Sequence, residues 1–383
     1  MSATTQVGSH SAGRRTGSVP LVRRLMGVRP LRIAASAAGT GLALMLMLLL
    51  TALWAGVRDR VTTFDDHLGA DLVVVPAGTR TLFADPGILP APTVRMVANT
   101  PGVRAAAALR TMYQIVELSH DKAAVAVVAF DPASGLGGPW AVRDGRAPGA
   151  SDEVAVDALW ADQHGVRLGG RLPMLGHAMR VVGLTDDTAL FMTPLVFTTV
   201  TGMDQMLSAS GTTGAVLVTA PDPNSVAERL RAEGLTVRTP RQLHQASLQL
   251  ATAIYGPPVR LMVGVAFAAG TLIVALVAYS RLAEQQRDLG VLKALGATPA
   301  RLRNIALGET AALTVLGAAT ALGLLLVARE LLAWWRPAFP VLVTSASLAQ
   351  TTAAAAVMAV LGAWLPVHRV NRLDAASAFR SGQ

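Results

Sequence analysis

The chain contains no cysteine. That excludes a disulfide framework, a thiolate nucleophile and a cysteine-built zinc site. Any exported part must hold together by burial alone. Charge is scarce too: 15% of the 383 residues are charged, against about 25% in a typical soluble domain. Apolar residues fill the gap, at 52% of the chain and a mean hydropathy of +0.46. Chemical signatures are missing as well. There is no GxxxxGKS/T phosphate loop, no HExxH and no GxSxG. His67, His120, His164, His177 and His244 are scattered and read as surface residues. The expectation is a chain with no catalytic residue, no metal site and no ATPase or hydrolase site of its own.

What is present is a set of long apolar runs. Residues 33–57 carry no charge and centre on LALMLMLLLTALW. A helix of about 20 apolar residues crosses the hydrocarbon core. A cleaved signal peptide is the rival reading, but its apolar region is only about 7–15 residues long. Further runs occupy 258–280, 305–328 and 341–367; the third run, 305–328, holds a single charge, Glu309. Four spans are therefore expected.

Charge distribution supplies the orientation. The net charge is +9, and it is concentrated beside the spans. The N-terminal stretch 1–32 has Arg14, Arg15, Arg23, Arg24, Arg29 and Arg32 with no acid. It reads as a disordered start leading into a short amphipathic surface helix over 19–32. The loop 281–304 and the tail 368–383 are basic, while 58–257 is slightly acidic. Four crossings put all three basic segments on one side, as the positive-inside rule requires; three or five would not. Both termini are thus expected in the cytoplasm of a bacterial cell, with 58–257 and the short loop 329–340 outside. Trp334 and Trp335 in that loop read as interface anchors. This pattern also argues against a nucleic-acid groove.

The outer segment reads as mixed α and β. Strands are expected at 72–75, 112–118, 125–130, 153–156, 180–184, 195–200, 216–219 and 236–238. Helices are expected at 157–165 and 224–234, the latter capped by Asn224. Residues 58–68 and 241–255 read as helical stalks continuing the first and second spans. The fold class is an integral membrane α-helical protein of four transmembrane helices with an inserted extracytoplasmic α+β domain.

The most informative loop is 281–309, RLAEQQRDLGVLKALGATPARLRNIALGE. Leu282, Leu289, Leu292 and Leu295 fall at helical spacing, with charges on the other faces. Gly296 is a helix stop. Thr298 and Pro299 restart a helix as cap and first residue. A plain connector needs only a few polar residues. This one has over twenty, amphipathic and basic, which suits a docking surface for a cytoplasmic partner.

Arg287, Asp288, Leu289, Gly290, Val291, Leu292, Lys293, Ala294, Leu295, Gly296 and Ala297 resemble the signature between the second and third spans of FtsX/MacB-like ABC transporter permeases. Asp288 stands where a Glu is usual. In the outer domain, Gly145-Arg146, Asp152-Glu153-Val154-Ala155-Val156, residues 165–172 and Val181-Val182-Gly183-Leu184 are similar to the periplasmic core domain of the same family. Gly169-Gly170 replaces its usual Gly-Asp. Residues 183–197 look closer to the DevC/HrtB-type branch. The resemblance implies a homodimer, paired with a separate ATP-binding subunit that holds ATP and Mg while this chain binds no cofactor. It places ATPase coupling on Arg287, Asp288, Leu289, Leu292, Lys293, Leu295, Gly296 and Ala297. Its cargo would be hydrophobic or membrane-associated: haem, lipid or a drug-like molecule. Glu309 is either an interfacial carboxylate or a functional intramembrane group, with Arg303 or a backbone group across a dimer interface as partner. Two other readings stay open: an FtsX-like regulator of an external cell-wall hydrolase, and a stand-alone receptor with an external sensor domain. Gly39, Gly41, Gly264 and Ala268 are expected to let helices approach across a dimer.

Overall fold

The computed structural model describes residues 30–118, 121–284, 291, 295, 296, 298–335 and 339–371. Most of the basic N-terminal stretch and of the C-terminal tail lies outside these residues.

Four helices are long and apolar enough to cross a membrane. They are α1 (Pro30–Asp66), α6 (Pro240–Glu284), α7 (Pro299–Trp335) and α8 (Ser345–Asn371). The first three outrun the bilayer. At 1.5 Å per residue, the 37 residues of α1 and of α7 give about 55 Å and the 45 of α6 about 68 Å, against a hydrocarbon core of about 30 Å. The excess on α1 begins at Arg58, where the charges start, and on α6 it precedes Pro257 and Pro258. Each proline withholds an N–H from the helical ladder.

Between α1 and α6 lies the α+β domain. In chain order it has β1 (Leu72–Val75), β2 (Leu89–Pro90), α2 (Pro92–Ala98), β3 (Ala105–Glu117) and β4 (Lys122–Phe130). Next come β5 (Val142–Gly145), β6 (Glu153–Asp157), α3 (Ala158–His164), β7 (Arg171–Met174), β8 (His177–Thr185), β9 (Ala189–Leu190) and β10 (Thr193–Thr199). The last are α4 (Val200–Leu207), β11 (Thr212–Thr213), β12 (Ala215–Thr219), α5 (Pro223–Ala232) and β13 (Thr236–Arg238). Nine strands form one continuous path, β13-β1-β12-β3-β4-β10-β6-β8-β5, with β7 beside β8 and β9 beside β10. Pairing is antiparallel except for β4 with β10 and β6 with β8. The central strands read as near-continuous apolar runs because both faces are covered. Val125, Val127, Val154, Val156 and Val196 pack on the side of α3 and α4, and Val128, Phe130, Leu195 and Phe197 pack on the other. A third cluster joins Val74, Val216 and Val218 to Val226 and Leu230 of α5.

Two helices start differently from the sequence reading. The cap of α5 is Asp222, two residues before Asn224: its carboxylate accepts from Ser225 N at 3.4 Å, and Pro223 takes the first helical position. The run expected as a strand through Val200 stops at Thr199, whose hydroxyl accepts from Gly202 N at 3.0 Å and opens α4.

By contacts the chain divides into two compact units, one around Leu49–Met262 with Ala328–Ser347, the other from the remaining parts of the four long helices. In the helical unit α1 is the central element. Over half of its most apolar window is buried, 56%, against 22–28% in the other three, whose outer faces are left to lipid or to another chain. Small residues make this possible. A Cβ on Gly317 would lie 2.7 Å from Thr40 Cγ2, and one on Gly41 would lie 2.8 Å from Thr320 Oγ1. Thr320 Oγ1, which donates to the Leu316 carbonyl of its own helix at 2.7 Å, also lies 3.3 Å from the Ala37 carbonyl across the contact. Gly41 is thus used within one chain, whereas Gly264 meets nothing and Ala268 is exposed. Gly317→Val is expected to cost about 1–3 kcal/mol through overpacking and to lower the thermal midpoint in detergent. Gly323→Val, on the same helix and in open space, serves as the neutral control. An equal midpoint for both would show that the α1–α7 contact does not hold the bundle.

Candidate functional site

The reversal between α6 and α7 is built from three local features. The Leu295 amide donates to the Val291 carbonyl at 2.9 Å, which closes a helical turn. Gly296 then has φ +88°, the left-handed region that glycine enters without a Cβ penalty. Thr298 caps the next helix: its carbonyl accepts from Arg301 N at 3.0 Å and its hydroxyl from the same N–H at 3.4 Å, with Pro299 first in α7. Leu295 is left 79% exposed at the turn, and Val291 is also exposed. Arg287, Asp288, Leu289, Leu292, Lys293 and Ala297 lie outside the described residues. Glu309 falls within α7, directly before the buried Thr310.

The outer-domain motifs converge on one buried carboxylate. Glu153 opens β6 at 1% exposure. Arg146 reaches it with both guanidinium nitrogens, Nη1 at 2.7 Å. Arg180 on β8 donates to the same carboxylate, and the Gly149 and Ala150 amides add bonds at 3.0 and 3.2 Å. The Arg146 bonds come first among the causes that hold Glu153 down to about 2, with the two amides acting the same way against burial. The glycines of these motifs have a steric reason. A Cβ on Gly145 would lie 2.2 Å from the Val182 carbonyl oxygen, and one on Gly183 would lie 2.3 Å from that of Arg146. The sequence reading set Gly145-Arg146 and Glu153 in one order of motifs and predicted no contact between them. Nor did it predict the contact of Arg180, which reaches Glu153 because β6 and β8 run parallel with Glu153 opposite Arg180. No local spacing signals that. This cluster is structural: it fixes the loop 146–152 to the sheet and has no free acid or base for chemistry.

Among the described residues, no three His, Asp or Glu side chains gather where they could hold a metal ion.

Comparison with known proteins agrees with this layout. Residues 260–375 match the FtsX-like permease C-terminal family, and residues 33–233 match the MacB-like periplasmic core domain. An uncharacterised ABC transporter permease of Mycobacterium bovis is 30% identical over 355 residues, 92% of this chain and 96% of that one. Another from Mycobacterium tuberculosis is 30% identical over 364 residues, again 92% and 96%. Among solved structures, the periplasmic region of MacB from Actinobacillus actinomycetemcomitans covers 47% of this chain and 92% of its own, at 12% identity and a TM-score of 0.37. The extracellular domain of the transporter YknZ from Gram-positive bacteria covers 44% and 98%, at 12% identity and 0.34. With four apolar helices, an inserted α+β domain and both family matches in order along it, the chain belongs to the FtsX/MacB-type ABC transporter permeases.

Proposed function

We propose that this chain is the membrane subunit of an ABC transporter whose ATP and Mg sit in a separate ATP-binding chain. Residues 281–304 dock on that chain from the cytoplasm, with both termini on the same side. Two copies work together, and the cargo is a hydrophobic or membrane-associated molecule: haem, lipid or drug-like. The observation that carries this reading is mechanical. One unbroken helix, α6, runs 45 residues from the outer domain to the approach of the docking turn, and the turn after it is closed by Gly296 and Thr298. The docking turn and the outer domain therefore lie at the two ends of one continuous helix, with Pro257 and Pro258 inside it.

The test is purification through a tag on this chain from cells that also express a candidate ABC ATP-binding chain of the same organism, and analysis of bound lipid and haem. The expected result is a complex of both chains with ATP hydrolysis above that of the ATP-binding chain alone. Purification without any ATP-hydrolysing partner would favour the stand-alone receptor. A stimulated complex that carries no cargo, in cells whose shape changes on deletion, would favour the hydrolase regulator.

A further inference from the structure

Where α1 and α6 leave the membrane, they are joined by a polar contact that no motif predicts. Asp65 lies eight residues past Val57, the last residue of the uncharged run, or about 12 Å beyond it along the helix. Its surroundings are those of the outer domain: Phe64 of α1, Leu68 just past its end and Leu243 of α6 are buried in the same cluster as Val73, Phe130 and Phe197. Asp65 is 4% exposed. Ser247 on α6, itself buried, donates to Asp65 Oδ2 at 2.6 Å. Beside this pair, half-exposed Asp66 faces His244 Nδ1 of α6 at 2.8 Å. His67 turns away, with its Nδ1 2.7 Å from the Thr63 carbonyl and its ring stacked on Trp140 at 4.5 Å, so that side adds no carboxylate or guanidinium.

We propose that Asp65 and Ser247, flanked by Asp66 and His244, form a proton-sensitive clasp between the two stalk helices. The clasp is closed when Asp65 carries a proton and loosens when it is ionised.

An asparagine would join the helices at no electrostatic cost, whereas a carboxylate buried among Phe64, Leu68 and Leu243 resists ionisation. Burial first, and Asp66 to a lesser degree, push Asp65 up to about 6, while the Ser247 bond and His244 pull the other way. The sign follows. In the closed clasp the group titrates higher than in parted, hydrated stalks, where it returns toward 3.8. Below 3.8 both forms hold the proton and closure meets no charge penalty. Between 3.8 and about 6 the penalty grows, and above it is complete, so closure weakens by roughly a hundredfold across that window. Parting the stalks near pH 5, between the two values, therefore releases most of a proton to water and rejoining them takes it up, whereas at neutral pH Asp65 is largely ionised in both forms. The inference concerns the stalks alone and holds whatever the permease carries.

The experiment is pulsed electron–electron distance measurement on the full chain in lipid nanodiscs. Spin labels go on Asp59→Cys and Gln249→Cys, two exposed stalk positions, in a chain with no other cysteine. One narrow distance is expected at pH 5, and a longer component is expected at pH 8. Asp65→Asn, which keeps a partner for Ser247 and cannot ionise, should stay narrow at both. Ser247→Ala should enlarge the longer component at pH 8, and His244→Gln should keep the pH response. A distribution that does not change with pH in the native chain would overturn the clasp. So would a response that persists in Asp65→Asn, or one that vanishes in His244→Gln and thereby moves the titration to the imidazole.

Discussion

Valine at position 296 is expected to cut the ATP hydrolysis stimulated by this permease about tenfold while leaving expression and membrane insertion near normal. The reason is confined to the backbone. Gly296 sits at φ +88°, and a Cβ there meets no atom within 4 Å, so no packing is lost. An L-residue in the left-handed region costs about 1–2 kcal/mol, more when it is β-branched. The chain can escape the strain only by leaving that conformation. Doing so rotates Thr298 off the Arg301 amide, which loses a cap worth about 1 kcal/mol, and it re-aims the start of α7. A tenfold loss corresponds to about 1.4 kcal/mol, within that range. Gly296→Asn is the rescue, because asparagine tolerates the left-handed region. Arg287→Glu with Lys293→Glu tests the same surface by charge and should weaken complex formation with the fold intact. The readouts are ATPase rate and pull-down on the reconstituted pair. Full stimulation by Gly296→Val and by the charge-reversed pair would reduce 281–304 to a connector and remove the mechanical basis of the proposed function.

That turn was legible in sequence because its chemistry is local: glycine after a leucine-spaced run, then threonine and proline, each within four residues of the group it serves. The four spans were legible for a similar reason, since twenty apolar residues need no partner to be recognised. Strands such as β1 and β13 could be read from β-branched runs. The path of the sheet could not. Its order brings β1 between β12 and β13 and sets β10 parallel to β4, and both depend on pairings more than sixty residues apart. Two short helices, α2 with 7 residues and α4 with 8, were not read from sequence, although α3, also of 7 residues, was expected at 157–165. Asp65 read as one more charge in the polar start of a stalk. Its burial becomes visible only when Leu243 and Ser247 are brought against it from 180 residues away.

Replacing Glu153 with alanine is expected to destabilise the outer domain by about 3 kcal/mol. The side chain is 2% exposed, and the two guanidinium groups that bind it are just over half exposed. Glu153→Ala removes the acceptor for Arg146, Arg180 and the Gly149 and Ala150 amides at once. Breaking one side of a buried ion pair costs about 3–5 kcal/mol; water at the two arginines screens part of this, so about 3 kcal/mol is the expected loss. For a domain of this size that lowers the thermal midpoint by about 6–12 °C. Glu153→Gln keeps the shape and the two amide bonds and should lose less. The pH dependence has a definite sign. The folded-state value of about 2 lies below the ordinary 4.5, so the stabilisation is fully present above 4.5 and is lost as the pH falls from there through 2. The native chain should therefore lose thermal stability over that interval with a steeper slope than Glu153→Gln. The measurement is thermal unfolding of the full chain in detergent at stepped pH, followed by tryptophan fluorescence, with Trp160 buried on the same side of the sheet as Val154 and Val156. A Glu153→Ala midpoint within a degree of the native one would mean that the loop 146–152 is held by its backbone alone. The charge cluster would then be a surface feature that happens to be covered.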